Sequence, residues 1–290
     1  MKYEDPVFRP PCEAGSLIFQ VTIGCPHNEC VFCGMYKMKK FRVRDQEELK
    51  AEVRKARLIY SHVDSIFLAD GNTIAMNAAR LADLIAYIRR IFPETTRVSC
   101  YAGARFLKGK SPVALRGLAE SGLDIVYLGL ESGDDKVLTR MRKGVDAEGM
   151  VEAARRVKEA GIELSAYILM GLGGEDGWES HARETARVLN RMNPTFIRPR
   201  TLALLPGMPL YEEMQRGLFR EAGGETVMRE MRLLVSELDV EDSFFMSDHI
   251  SNYIPVYGRL PGDRDEMLAR IDGALAQPEV WLKPRHLTHL

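Results

Sequence analysis

The sequence has few cysteines, no long apolar run and almost no net charge. Its 290 residues include five cysteines, and 40 lysines and arginines nearly balance 41 aspartates and glutamates, which leaves a formal net charge of −1. This balance gives no overall attraction to nucleic acid or to a membrane surface. No apolar run approaches the roughly 18 residues of a membrane-spanning helix. The polar, proline-rich start does not resemble a signal peptide, so we expect a cytoplasmic protein.

The few cysteines are unevenly distributed. Cys25, Cys30 and Cys33 lie within nine residues, whereas Cys12 and Cys100 stand apart. An odd number of cysteines, three of them clustered, in a protein of a reducing compartment argues against a disulfide framework. The pattern favours a metal site or catalysis.

Between residues 15 and about 205 the sequence alternates short apolar segments with longer amphipathic ones. The apolar segments predict six strands, at 16–24, 64–71, 97–103, 123–131, 162–171 and 195–207. The amphipathic segments predict helices at 46–60, 75–92, 111–122, 146–161 and 177–192. The strands are apolar on both faces, as in a parallel sheet covered by helices. A doubly wound sheet and a TIM-like barrel both fit, but six units fall short of the eight that close a full barrel.

The pattern changes after residue 207. Helices are predicted at 207–219, 226–240 and 265–275, and a long irregular segment separates the last two. This segment is too aromatic to be disordered, and a loop of such length is usually functional. We therefore expect three parts: an N-terminal extension (1–14), a barrel core (15–207) and a C-terminal extension that closes the barrel mouth (208–290).

The irregular segment offers hydrogen-bonding and acid–base groups for a substrate. The best candidate for proton transfer is His249, because its intrinsic pKa lies near neutrality. Tyr253 is a second candidate catalytic residue. The alternative for His249 is a purely structural role.

The clustered cysteines have the spacing C-x4-C-x2-C and directly follow the first predicted strand. A structural zinc site needs four ligands, and the fourth would have to be His27, Cys12 or Cys100. The other interpretation is a [4Fe-4S] cluster held by three thiolates, which leaves one iron without a protein ligand. An open coordination position is typical of a catalytic centre.

A cysteine loop on the first strand of a βα repeat resembles the radical S-adenosylmethionine (radical SAM) superfamily. Four further segments are similar to motifs of the superfamily, in order: "LADGNTIAM", "LGLESGDDKVLTRMRKG", "YILMGLGGED" and "LALLPGMPLYEEM". The second is very similar to a segment of the subgroup that contains the methylthiotransferases and the oxygen-independent coproporphyrinogen oxidases. The resemblance covers roughly residues 15 to 215. One departure is the spacing, since the superfamily mostly has three residues between its first two cysteines, whereas four separate Cys25 from Cys30.

The resemblance implies an α/β fold, a partial (β/α)6 TIM-like barrel with a helical and irregular C-terminal extension. It implies one oxygen-sensitive [4Fe-4S] cluster per chain on Cys25, Cys30 and Cys33, with SAM bound at the open iron. Reductive cleavage of SAM then starts radical chemistry on a substrate that the resemblance does not identify. The electron comes from a donor such as flavodoxin or ferredoxin.

The resemblance also implies which positions contact SAM: Phe32, Gly71, Asn72, Glu131, Lys143 and Tyr167. Each has a structural alternative. "DGN" is a common turn sequence, which could be the whole reason for Gly71 and Asn72. Glu131 could instead cap the next helix. Lys143 could be a solvated cation, and Tyr167 a core residue.

The basic run after the cysteines raises the question of RNA. It consists of Lys37, Lys39, Lys40, Arg42 and Arg44. A phosphate or RNA site is one interpretation, but a solvated link to the first helix is favoured. Modification of RNA or protein remains a rival to a small-molecule substrate. Against it, the sequence has no second cysteine cluster, no evident RNA-binding segment and no basic excess.

Overall fold

The structure is a computed structural model that describes residues 2–282. The chain divides into two compact units. The first unit comprises the chain up to Asn28, Met35–Leu128 and Glu152–Leu164. The second comprises Glu29–Gly34, Gly129–Val151 and the chain from Ser165 onward.

Strands and helices alternate along the chain. The strands are Leu17–Gln20 (β1), Thr22–Ile23 (β2), Arg42–Val43 (β3), Ser65–Ala69 (β4), Arg97–Ala102 (β5), Ile125–Glu131 (β6), Glu163–Met170 (β7), Phe196–Thr201 (β8), Ser243–Met246 (β9) and Tyr257–Leu260 (β10). The helices are Gln46–Ile59 (α1), Ala78–Ile91 (α2), Ala104–Lys108 (α3), Pro112–Glu120 (α4), Asp135–Arg140 (α5), Ala147–Glu159 (α6), Gly174–Met192 (α7), Pro209–Gln215 (α8), Gly224–Glu237 (α9), Arg264–Leu275 (α10) and Pro278–Trp281 (α11). The α/β class predicted from the alternation is confirmed.

In the first unit, the strand order is β1-β4-β5-β6, and each of these neighbouring pairs is parallel. Ile66, Phe67 and Leu68 are fully buried, so both faces of β4 are covered, as the apolar segment predicted. The helices between these strands begin at polar caps. Asp45 caps α1, Asn77 caps α2, and the side chain of each accepts two backbone N–H groups of the first turn.

In the second unit, the strand order is β7-β8-β9-β10. β7 and β8 are parallel, β9 is parallel to β8, and β10 is antiparallel to β9. The two last strands lie in the segment that the sequence predicts as irregular, which corrects that part of the prediction. Phe245 is buried, whereas Phe244 stacks on Phe196 of β8 with ring centroids 5.7 Å apart.

No helix within residues 2–282 is both long enough and apolar enough to span a membrane.

Candidate active site

The three clustered cysteines are half-buried, and none of the five cysteines forms a disulfide. Cys25 follows β2 in the first unit, whereas Cys30 and Cys33 belong to the second unit. The backbone N–H of Cys33 donates to the carbonyl of Cys30 at 3.4 Å, which makes a tight turn. Within the described part of the chain, no three His, Cys, Asp or Glu side chains are grouped as ligands of a metal ion. The three-thiolate site therefore stays a prediction.

In the first unit, a buried carboxylate fixes the residue before Cys25. Asp70 Oδ2 accepts hydrogen bonds from Gly24 N (3.1 Å), Gln20 Nε2 (3.2 Å) and Lys39 Nζ (3.1 Å). Gly24 has a positive φ of 73°, which favours glycine, and an added Cβ would lie 3.1 Å from the Lys39 side chain. Asp70 thus joins the segments before and after the cysteine loop.

Lys39 differs from what its sequence context predicts. Its side chain is buried, and its ammonium also donates to the carbonyls of Glu4 and Pro6. Lys37, Lys40 and Arg42 are exposed, as a solvated link requires. The interpretation as a solvated link is therefore wrong for Lys39, because its carboxylate partner lies 31 residues away along the chain.

The turn after β4 is closely packed. The ring of Tyr36 covers Gly71 so closely that an added Cβ would lie 2.5 Å from a ring carbon. Asn72 is buried, and its Oδ1 accepts the backbone N–H of Gly103 at 3.0 Å. The side chain of Asn72 therefore supports the turn, and glycine is required at position 71.

In the second unit, the segment that carries Cys30 and Cys33 is held at Val31. Its N–H donates to the carbonyl of Met141 at 3.2 Å, and its carbonyl accepts the N–H of Leu210 at 3.0 Å. Val31, Met141 and Leu210 also share an apolar core. The "LPGMPLY" motif therefore supports the cysteine segment, although it lies far away in the sequence.

Three of the predicted cofactor-binding residues meet in the second unit. Lys143 Nζ lies 3.0 Å from Glu131 Oε1 and 5.8 Å from the centre of the Phe32 ring. Burial alone would lower the pKa of Lys143, but Glu131 together with Cys30 and Cys33 outweighs burial and raises it. Lys143 therefore carries a stable positive charge beside the cysteine segment.

Two residues at the end of β6 have unusual features beside this ion pair. Gly129 has no side chain, and a Cβ there would collide with the Glu131 carboxylate and approach Lys143 Nζ to 3.0 Å. Glu131 itself has a φ of 63°, which is uncommon for a residue other than glycine. The glycine in "LGLES" is a signal that sequence reasoning could have used.

A buried acid–base pair that the sequence analysis did not single out supports Glu131 from behind. His181 on α7 contacts Glu230 on α9 through Nδ1 and Oε1 at 2.5 Å, and its Nε2 lies 3.3 Å from the carbonyl of Glu131. Glu230 Oε2 also accepts the N–H of Gly171 at 2.8 Å. Burial alone would lower the pKa of His181, but the carboxylate of Glu230 outweighs burial and raises it.

The remaining predicted residues separate into two places. Tyr167 lies on β7, and the guanidinium of Arg200 stacks on its ring at 4.4 Å. His249 is half-buried, and burial together with the charge of Arg200 lowers its pKa to about 4. Tyr253 instead lines a cavity of about 220 Å³ with Glu221 and the start of α9.

Comparison with known proteins gives relatives of several kinds. An uncharacterized protein of Methanocaldococcus jannaschii is 23% identical over 231 residues, which are 76% of this chain and 68% of the relative. An uncharacterized methyltransferase of Pyrococcus horikoshii is 26% identical over 65% of this chain and 40% of its own. This chain therefore spans under half of that relative.

Solved structures share the fold. Methylornithine synthase superposes with a TM-score of 0.56 at 16% identity, covering 93% of this chain and 83% of that one. At this identity the likeness concerns the fold alone, and it confirms the predicted likeness to TIM-like barrels of radical SAM enzymes. The family model "Radical SAM superfamily" matches residues 19–186, which are more than half of the chain. The chain is therefore an enzyme that belongs to the radical SAM superfamily.

Proposed function

We propose that Cys25, Cys30 and Cys33 hold one [4Fe-4S] cluster per chain and that SAM binds beside it. The donor set fits this group, because three thiolates are the ligands that such a cluster takes when one iron stays open. The observation that carries the proposal is the position of Lys143, which lies over Phe32, beside Glu131 and within electrostatic range of Cys30 and Cys33. A fixed cation next to thiolates and a carboxylate suits a zwitterionic ligand.

When bound by these residues, the cluster would supply the electron that cleaves a carbon–sulfur bond of SAM and so starts radical chemistry. The residues of the chain bind and orient SAM. Lys143 binds the methionine carboxylate, and Glu131 accepts hydrogen bonds from the ribose or the amino group. Phe32 packs against the adenine.

Two further contacts with SAM are proposed from the same resemblance. Tyr167, on β7, packs against the adenosine. The backbone of Gly71 and Asn72 offers polar groups to the methionine amino group. Because Oδ1 of Asn72 already accepts the N–H of Gly103, the backbone of this residue is proposed for that role.

We propose a small-molecule substrate bound by the C-terminal extension (208–290), which closes the mouth of the core (15–207) and follows the N-terminal extension (1–14). His249 and Tyr253 are the proposed catalytic residues. Because its pKa is about 4, His249 is a neutral imidazole at pH 7 and would take up a proton rather than supply one. Flavodoxin or ferredoxin is the proposed electron donor. A cytoplasmic, reducing location is proposed because the cluster is oxygen-sensitive.

Methyl transfer is a second candidate function. It is favoured by the name of the Pyrococcus horikoshii relative, an uncharacterized methyltransferase. The two functions differ in the products of SAM, since methyl transfer leaves S-adenosylhomocysteine.

The test is cleavage of SAM by the full chain after anaerobic reconstitution with iron and sulfide. With a chemical reductant, we expect methionine and 5′-deoxyadenosine in equal amounts, measured by liquid chromatography. Protein treated in the same way without iron is the control. S-Adenosylhomocysteine as the main product would favour methyl transfer. A colourless, zinc-loaded protein that leaves SAM intact would contradict the proposal.

A further inference from the structure

Two arginines lie on one face of β8. In the parallel pairing of β7 with β8, Tyr167 is opposite Arg198 and Leu169 is opposite Arg200. Alternate residues of a strand share a face, so Arg198 and Arg200 lie on the same face of the sheet as Tyr167. The opposite face is closed, since Ile197 before Arg198 and Pro199 between the two arginines are both buried. Both guanidinium groups therefore belong to the side of the sheet that carries Tyr167.

Two donor nitrogens of Arg200 lack protein acceptors. Its Nε and Nη2 are shielded from water, and neither has a hydrogen-bond partner within residues 2–282. Nor does Arg200 form an ion pair within 4.0 Å in that part of the chain. Its contact with the Tyr167 ring provides no hydrogen-bond acceptor. Shielded donors without acceptors are costly and rare, so a bound ligand is the natural source of the acceptor.

The charges around Arg200 do not balance. Arg198 Nη1 is 4.0 Å from Asp248 Oδ2, and within residues 2–282 this is the one ion pair that either guanidinium forms within 4.0 Å. The neutral imidazole of His249 adds no charge of either sign here. This part of the second unit therefore has an excess positive charge.

The loop beside Arg200 is fixed rather than loosely placed. Ser251 Oγ accepts the backbone N–H of Thr201 at 3.1 Å, and Asn252 Nδ2 donates to the carbonyl of Pro199 at 2.9 Å. These bonds attach the loop to the residues on either side of Arg200. His249 Nδ1 lies 2.7 Å from Ser251 Oγ, so the imidazole is held by the same loop.

We propose that Arg200 binds a carboxylate or phosphate group of the substrate. The planar guanidinium can take such a group with two parallel hydrogen bonds, and the excess positive charge favours an anion. The proposal rests on the proposed function and deepens it, since it makes the substrate an organic anion. The carboxylate of SAM is the other possible source of the anion, and Lys143 is already placed for it.

The test measures binding of inorganic phosphate and of succinate to the reconstituted full chain, by calorimetry, in the presence of saturating SAM. We expect saturable binding to the wild-type protein that weakens at least about tenfold in Arg200→Gln. Arg200→Lys should give an intermediate value, because lysine keeps the charge and loses the planar pair of donors. The matched control is Arg187→Gln, which removes an exposed arginine of α7 and should bind as the wild type does.

A second titration, with SAM alone, identifies the source of the anion. If Arg200 binds substrate, Arg200→Gln binds SAM within about twofold of the wild-type protein. Loss of SAM affinity would overturn the assignment to substrate, and so would the absence of saturable anion binding to the wild type or equal binding to Arg200→Gln. Binding is read without SAM cleavage. Selective anion binding by a chain that does not cleave SAM would therefore leave this site standing and reject the proposed function.

Discussion

The Cys33→Ala variant is expected to bind its iron–sulfur cluster at least about a hundredfold more weakly than the wild type and to cleave SAM only at background rate. Loss of a group that merely orients a metal ligand lowers affinity or activity by about 10- to 100-fold, and loss of a ligand itself removes more. The measurements are the iron and sulfide content after reconstitution and the yield of 5′-deoxyadenosine. Iron content and cleavage equal to the wild type would rule out Cys33 as a ligand.

Cys100→Ala is the matched control for this experiment. Cys100 lies on β5 and is completely buried, and burial raises the pKa of its thiol to about 12. It therefore stays protonated and offers no thiolate to iron. We expect wild-type iron content and a loss of about 1 kcal/mol in the free energy of unfolding. Loss of iron in both variants would mean that the effect is not specific to the cysteine segment.

Glu230→Ala is expected to lower the free energy of unfolding by about 3–5 kcal/mol, because removal of one partner leaves His181 buried beside an empty space. The N–H of Gly171 also loses its acceptor. The measurement is chemical denaturation, followed by circular dichroism. A loss below about 1 kcal/mol would contradict the assignment of this pair as a main support of the second unit.

Two further variants accompany this test. One is a control on the same helix, and the other removes the charge of Glu230. Glu225→Ala changes an exposed residue of the same helix, whose salt bridge with Arg229 contributes little, and should cost less than about 0.5 kcal/mol. Glu230→Gln keeps the volume and one acceptor oxygen but removes the charge. In the wild type, the pKa of His181 is raised in the folded state, so its protonation stabilises the fold. This contribution to the free energy of unfolding is fully present below the unfolded-state pKa and is lost as pH rises through the higher folded-state pKa. In Glu230→Gln, the free energy of unfolding should not decrease over this pH range.

The core of the fold could be predicted because the local pattern and the tertiary arrangement agree. Each of the six predicted strands is an apolar segment that ends near a glycine or a polar turn, and each is found. The continuous segment predicted at 16–24 is divided at Val21, whose backbone bonds to Ala69 and to Arg44. The local sequence pattern does not show that β1 pairs with β4 whereas β2 pairs with β3.

The hairpin of β9 and β10 was missed for a physical reason. The ten residues between its strands carry no short turn sequence, and each strand is only four residues long. β9 is stabilised by β8 and by the stacking of Phe244 on Phe196, and neither can be read from the segment itself. Its sequence predicted only that it is ordered.

The candidate site divides in a similar way. The cysteines and the Glu131 segment could be named because their chemistry lies in short motifs. The pairs Lys39–Asp70 and His181–Glu230 join residues 31 and 49 positions apart, and no spacing rule predicts them. Arg200 could have been identified from the sequence, because two arginines alternating with buried residues in "FIRPRT" are unusual in a covered strand.

Electron paramagnetic resonance of the reduced, reconstituted chain tests the central claim most directly. SAM carrying ¹⁵N in its methionine amino group is added, and the spectrum is compared with that of the cluster alone. If three thiolates leave one iron open, SAM shifts the spectrum and the labelled nitrogen gives a hyperfine coupling. An iron–sulfur spectrum that SAM does not alter, with no nitrogen coupling, would contradict the account.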